Sequence, residues 1–204
     1  MDTPTKLEEE YRMGTNNFDY LEKLAYGDVR EDIKTGDILL CSGNHPISLL
    51  IRKFSKSLFS HIGFVFSWNN RVLVLESVED DGVRAVPLSQ YVADYENSKR
   101  PYDGRLFMAR YKQELDKDKI KQMLGRAVDL LNRKYDKDEI GKIILRITTG
   151  IGKHKTDNEY ICSEFIDECF KEIEIVFERD KKGFIFPEHI AADPNVDPLF
   201  EFSL

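Results

Sequence analysis

The chain predicts an α+β domain with an antiparallel sheet packed against helices, and three stretches carry that reading. His61 to Ser67 and Val72 to Val78 are runs rich in Val, Ile, Leu and Phe. They are joined through Asn69-Asn70, a pair that tolerates the positive φ angles of a tight hairpin turn. Asp116 to Arg133 sets Ile120, Leu124, Ala127, Val128 and Leu131 on one helical face. A further amphipathic helix starts near Cys162 and carries Phe165, Ile166, Cys169 and Phe170.

The remaining elements follow in order. Residues 1–29 read as a helical or partly mobile N-terminal extension, and residues 30–204 as the main domain. A strand from Asp37 to Ser42 leaves the Thr35-Gly36 turn. From Pro46 to Leu58, the apolar Ile47, Leu50, Ile51, Phe54 and Leu58 recur at helical spacing with Arg52, Lys53 and Lys56 between them. Past the hairpin, the Asp80-Asp81-Gly82 turn leads into a short strand from Val83 to Val86. A helix is expected over Ser89 to Glu96 and an alternating strand over Arg105 to Tyr111. A second helix follows from about Lys137 to Ile147, then a loop from Thr148 to Asn158. Pro187 to Pro198 reads as an irregular tail, with Phe200 and Phe202 pinning the C-terminus to the core.

Composition narrows the function classes. At 204 residues, with 41% hydrophobic and 33% charged, the chain can bury one real core as a soluble protein. A net charge of −7 argues against a nucleic-acid partner. The three Cys are an odd count with no disulfide-scaffold spacing, which suits a reducing interior. Met1 to Glu10 is polar and acidic, so no secretory signal is expected, and no run approaches the ~20 apolar residues of a spanning helix. The expected location is cytoplasmic.

The hairpin fixes a register. A symmetric loop at Asn69-Asn70 pairs residues whose numbers sum to 139, so Gly63 faces Glu76. Strand side chains alternate, so His61 shares a face with Gly63 and is a diagonal neighbour of Glu76, with Cα atoms roughly 7 to 8 Å apart. Gly63 carries no side chain to block the way. The opposite face collects Ile62, Phe64, Phe66, Leu73 and Leu75 as core. A Glu on such a strand needs a partner, because a buried unpaired carboxylate must protonate or find donors. His61 supplies one.

Cys162 lies in Asn158-Glu159-Tyr160-Ile161-Cys162-Ser163-Glu164-Phe165, at a helix start. Thiols react as thiolates, and a helix N-terminus and a nearby imidazolium both favour that form. Taken singly, a strand His or a helix Cys is an ordinary structural residue. Cys41 and Cys169 read as core in that sense. Cys162 differs by its helix start, and His61 by its matched carboxylate.

The succession Gly36-Asp37-Ile38-Leu39, Ser60-His61-Ile62-Gly63, Leu75-Glu76-Ser77 and Tyr160-Ile161-Cys162-Ser163-Glu164-Phe165 resembles the YiiX-type permuted papain-like hydrolases. These are relatives of the NlpC-type cell-wall hydrolases and of the lecithin:retinol acyltransferases. The stretch from Glu76 through Gly82-Val83-Arg84-Ala85-Val86-Pro87-Leu88 to Tyr95 is similar to the poxvirus members. The resemblance covers roughly residues 30 to 195. It implies a permuted papain-like fold, with an antiparallel sheet or partial barrel against helices and His ahead of Cys in the chain. It further implies Cys162 as nucleophile, His61 as general base and Glu76 as the orienting third residue of a cysteine hydrolase or acyl-transfer enzyme. Backbone N–H groups of Cys162 and Ser163 would face the oxyanion.

Other chemistries lack their signatures. The chain has no G-x-S-x-G elbow, no H-E-x-x-H helix and no C-x-x-C pair. Thr148-Thr149-Gly150-Ile151-Gly152-Lys153 misses the phosphate-loop spacing. His45, His154 and His189 fall in loops or at helix ends without ligand spacing, so no metal and no cofactor are expected. Expected partners are a peptide, amide or lipid-acyl substrate. The basic-aromatic helix holding Arg52, Lys53, Phe54, Lys56 and Phe59 allows peripheral membrane contact. Two other classes stay open: a non-catalytic peptide- or lipid-binding module using the same groove, and a redox thiol protein. The latter needs a resolving thiol, and Cys169, two helical turns along, sits too far from Cys162 to pair with it.

Overall fold

Asn69 and Asn70 both adopt left-handed backbone, with φ of 46° and 57°, and close the hairpin as a two-residue turn. Strands β3 (His61–Trp68) and β4 (Arg71–Val78) pair with Gly63 facing Glu76, Val65 facing Val74 and Ser67 facing Val72, the register expected from the turn. The computed structural model describes residues 15–79, 81–134, 161–181 and 183–204. The helix expected from Lys137 to Ile147, the Thr148 to Asn158 loop with His154, the first ten residues and the Phe54 side chain lie outside the described residues.

Seven strands form one open sheet in the order β1-β7-β6-β2-β3-β4-β5. The other members are β1 (Lys23–Leu24), β2 (Ile38–Gly43), β5 (Gly82–Pro87), β6 (Gly104–Tyr111) and β7 (Val196–Phe202). Every pairing is antiparallel except β1 with β7, which makes the sheet mixed. The described helices are α1 (Tyr26–Val29), α2 (Pro46–Ser55), α3 (Leu88–Ala93), α4 (Lys117–Leu130), α5 (Cys162–Lys171) and α6 (Pro187–Ala191). The architecture is α+β, as the sequence predicts.

Both faces of the sheet are covered, which explains why β2 is buried along its whole length. Ile38, Leu40, Ile62, Phe64, Leu75 and Phe107 point into a core shared with α4, α5 and α6. Their neighbours Leu39, Cys41, Val65, Val74 and Met108 point into a second core with α3 and with Phe200 and Phe202 of β7. The expected core face of the hairpin is buried at Ile62, Phe64 and Leu75, while Phe66 and Leu73 near the turn are half-buried. The His61 face is the second core. Cys41 and Cys169 are fully buried, in line with their reading as small hydrophobes.

Two expectations change. The stretch from Pro187 to Pro198 is not an irregular tail: it holds α6 and the start of β7. Pro198 faces Ala109 where the β6–β7 register shifts between Met108 and Ala109, an irregularity that suits a residue with no N–H to give to the ladder. Phe59, counted with the basic helix, lies beyond the end of α2 and is fully buried. It packs edge-on against Phe18 and Phe107 at 5.1 and 5.6 Å, so it is no part of an exposed face.

Candidate active site

The Glu76 side chain is fully buried, and its two carboxylate oxygens accept three donors from three other elements. Oε2 accepts from His61 Nε2 at 2.7 Å and from the Tyr91 hydroxyl of α3. Oε1 accepts from Arg84 Nε at 2.9 Å. Arg84 stands directly across the β4–β5 pair from Glu76, and its guanidinium also binds Asp81. Gly63 gives the carboxylate its path: a Cβ there would meet Val74 Cγ1 at 2.7 Å, the Leu75 carbonyl at 3.1 Å and Glu76 Cβ at 3.4 Å.

Cys162 is the first residue of α5, preceded by Ile161 in extended backbone. The first intrahelical bond runs from the Phe165 N–H to the Ile161 carbonyl at 3.0 Å, so the N–H groups of Cys162 and Ser163 belong to the unpaired first turn. Glu164 reaches back to the Ile161 N–H at 3.4 Å. The other half of a capping box needs a hydroxyl, which Ile161 lacks. Ser163 is buried, and its hydroxyl donates to the Ile185 carbonyl at 2.7 Å, which anchors the start of the helix. Phe165 stacks on Phe64 of β3 with ring centroids 5.9 Å apart.

These elements bring Cys162, His61 and Glu76 together. The Cys162 thiol lies close enough to the His61 ring to act on it electrostatically. Glu76 occupies Nε2, so Nδ1 is left to face the sulfur. The ring is 18% exposed and Cys162 7%, so the contact is nearly dry but reachable.

Burial alone would push the imidazole pKa down. The Cys162 charge and hydrogen bond, then those of Glu76, outweigh it and raise His61 to about 10. Burial would raise Glu76, yet its bond to His61, the His61 charge, Arg84 and Tyr91 hold it below the usual carboxylate range. Cys41 behaves oppositely: burial, then the charges of Glu76 and Cys162, push its thiol well up. Burial likewise pushes up Cys169. Neither resembles an activated nucleophile.

A cavity of about 880 Å³ opens beside His61, large enough for a small organic group or a short peptide. Ile47 and Ile51 of α2 form part of its wall, and Tyr91, Tyr95 and Tyr102 another. The three tyrosine rings pack with centroids 4.9 to 5.7 Å apart. His45 caps α2 at the rim, while His189 is buried in α6 with Nδ1 accepting the Phe186 N–H at 3.0 Å, so neither meets the thiol.

Sequence reasoning missed Arg84 and Tyr91 as partners of Glu76. Arg84 carries a signal that the hairpin argument could have used, since a turn centred on residue 80 sets Glu76 opposite Arg84 as an oppositely charged cross-strand pair. Tyr91 has none, because its reach depends on how α3 packs.

Among the described residues, no group of three or more His, Cys, Asp or Glu side chains gathers where it could hold a metal ion. A family profile described as "Permuted papain-like amidase enzyme, YaeF/YiiX, C92 family" matches residues 32–198. Among solved structures, the crystal structure of metalloprotein YiiX from Escherichia coli O157:H7 matches with a TM-score of 0.56 at 19% sequence identity. The match covers 82% of this chain and 88% of that one. At that identity the likeness is one of fold. No curated protein matches the chain.

Proposed function

This chain belongs to the permuted papain-like amidase family, and on that premise we propose that it cleaves amide bonds through an acyl-enzyme on Cys162. What supports the reading is the 2.7 Å hydrogen bond between the His61 ring and the Glu76 carboxylate, together with the electrostatic influence of the Cys162 thiol on that ring. His61 Nδ1 takes the thiol proton, and the sulfur attacks the carbonyl carbon. A C–S bond forms while the carbonyl π pair moves onto oxygen, where the first-turn N–H groups of Cys162 and Ser163 stabilise it. Collapse of that intermediate breaks the C–N bond, and Nδ1 returns the proton to the leaving amine. Water, deprotonated at Nδ1, then attacks the thioester, the C–S bond breaks and the carboxylic acid departs. An amine or alcohol acceptor in place of water would make the same intermediate a transferase.

Glu76 holds the ring in one orientation and stabilises its charged form. YiiX of Escherichia coli O157:H7 is called a metalloprotein. The steps proposed for this chain use Cys162, His61, Glu76 and the first-turn backbone N–H groups. The cavity beside His61 would hold part of the substrate next to the ring, with apolar, tyrosine and charged walls, although Cys162 is not among its lining residues. Cys41, Cys162 and Cys169 are all free thiols, consistent with a cytoplasmic location.

The test is limiting iodoacetamide applied to the folded protein across a pH series, with the adduct located by mass spectrometry. The reading expects Cys162 to label first, ahead of Cys41 and Cys169, and much more slowly in His61→Ala. Equal labelling of Cys41 and Cys169, or no effect of His61→Ala, overturns it in favour of a binding module. Activity probes that pair a thiol-directed warhead with a peptide group would then define the amide.

A further inference from the structure

Glu76 is a junction. Its carboxylate sits on β4 and takes donors from β3, β5 and α3, with no exposed surface. A carboxylate so buried is stable as an anion only while both oxygens keep donors. His61 and Tyr91 share Oε2, and Arg84 serves Oε1.

We infer that Arg84 and Tyr91 are positioning residues of the proposed triad, fixing Glu76 so that Oε2 meets His61 Nε2 and Nδ1 is turned to Cys162. The inference rests on the roles proposed above for those three residues. Arg84 fixes the carboxylate from one side: it lies in register on the neighbouring strand, and its second contact, with Asp81, holds the guanidinium in place. Tyr91 fixes it from another. Its ring is 1% exposed and packs against Tyr95 and Tyr102 at 4.9 and 5.7 Å, so the hydroxyl has little freedom.

Two effects of removing Arg84 oppose each other. Loss of a cation near the ring favours imidazolium, whereas loss of the Oε1 donor frees or protonates Glu76 and withdraws the ring's partner. The second dominates. Asp81 already offsets the Arg84 charge at a partly exposed position, where solvent screens it, while the bare Oε1 would lie in a site with no access to water. The groups acting on His61 are Glu76 from β4, Cys162 from α5 and Cys41 opposite it on β2, with Arg84 from β5 and Tyr91 from α3 bound to Glu76 behind it. Burial keeps Tyr91 and Cys41 neutral, so Cys162 and Glu76 set the charge seen by the ring directly, and Arg84 acts through Glu76.

The experiment follows the His61 ring of the full chain by NMR, through its titration midpoint and its downfield Nε2–H resonance, in wild type, Arg84→Met, Arg84→Lys and Tyr91→Phe. The expected result for Arg84→Met is a midpoint lower by about one unit or more, a tenfold change in the imidazolium equilibrium, with loss of the resonance. Arg84→Lys restores part of the midpoint, because an ammonium can still donate to Oε1. Tyr91→Phe lowers it less, since Oε2 keeps the imidazole. A midpoint and resonance unchanged in Arg84→Met and Tyr91→Phe overturn the inference, as does a rise in Arg84→Met, which would make Arg84 a charge and nothing more. If Arg84→Met fails to fold, Arg84→Lys and Tyr91→Phe decide by the same readout: a lowered midpoint supports the inference and an unchanged one overturns it. The readout is the ring itself, so an unreactive Cys162 would overturn the amidase reading without touching this result.

Discussion

Gly63 faces Glu76 across the β3–β4 pair, and the missing side chain at that one position lets the carboxylate reach His61 two residues along the strand. Gly63→Ala would put a methyl group 2.7 Å from Val74 Cγ1 and 3.1 Å from the Leu75 carbonyl, in a fully packed core. Overpacking of this kind costs about 1–3 kcal/mol. The expected outcome is a melting temperature lowered by several degrees and slower alkylation of Cys162, because the strand carrying Val74, Leu75 and Glu76 must shift to make room. Unchanged melting and unchanged alkylation would show that the glycine is incidental.

Glu76→Gln tests charge at nearly constant shape. The amide can still accept a hydrogen bond from Nε2, but it no longer stabilises the imidazolium. The His61 midpoint should fall below about 10, with Cys162 still holding it up. Each unit of that fall is worth about tenfold in the ion-pair population. Amide hydrolysis at neutral pH should therefore drop at least about tenfold, read as kcat/KM, while the melting profile shifts less than in Glu76→Ala. Full activity in Glu76→Gln would remove the carboxylate from the mechanism.

The pH dependence has a definite sign. His61 is raised in the folded state, so its contribution to stability is complete below 6.5 and is lost as pH rises through about 10. Glu76 is lowered, so its contribution is complete above 4.5 and is lost as pH falls through its depressed value. The stability difference between wild type and His61→Gln, from urea unfolding, should be greatest at about pH 4.5 to 6.5 and shrink toward pH 10. In the proposed mechanism the imidazolium protonates the leaving amine, which puts the alkaline limb of hydrolysis near 10. The Cys162 charge and bond are the largest upward influences on the ring, so Cys162→Ser should bring the His61 midpoint down.

How much of this was legible in the sequence depends on how locally each contact is specified. The hairpin was readable because alternation and an Asn-Asn turn fix register with no help from tertiary packing, and Glu76 beside His61 followed from it. The helix starting at Cys162 was readable from its apolar period, but its approach to His61 was not. That approach depends on Phe165 packing on Phe64 across the sheet, which no local pattern encodes. The second buried face was hidden for a related reason: Leu39, Val65 and Val74 look the same whether a helix or solvent covers them. Strand β7 was lost because Pro198 and the preceding Pro194 read as breakers, whereas a register irregularity absorbs the first and the second lies before the strand begins. Parallel β1, two residues long, has no sequence period to detect.

Glu188 was likewise invisible in the sequence, and it joins three distant parts of the chain. Its side chain is fully buried in α6, with Oε2 accepting from the Ser57 hydroxyl at 2.7 Å and the Leu58 N–H at 2.8 Å, and Oε1 accepting from the Thr15 hydroxyl. Ser57 in turn accepts the Phe59 N–H at 2.8 Å, so one carboxylate holds the four-residue approach to His61. Ser60 completes it, accepting the Gly43 N–H at 3.1 Å and donating to the Cys41 carbonyl at 3.3 Å. Glu188→Ala strips the partners from three buried donors, and each such loss costs about 1–3 kcal/mol before relaxation. A net destabilisation of about 3 kcal/mol in urea unfolding is expected, with Glu188→Gln milder because the amide keeps one acceptor oxygen. Slower Cys162 alkylation should accompany it under conditions where the variant is still folded, since the ring would no longer be delivered at a fixed height. Glu188→Ala unfolding at the wild-type midpoint would mean that the segment before His61 is held by Phe59 packing alone.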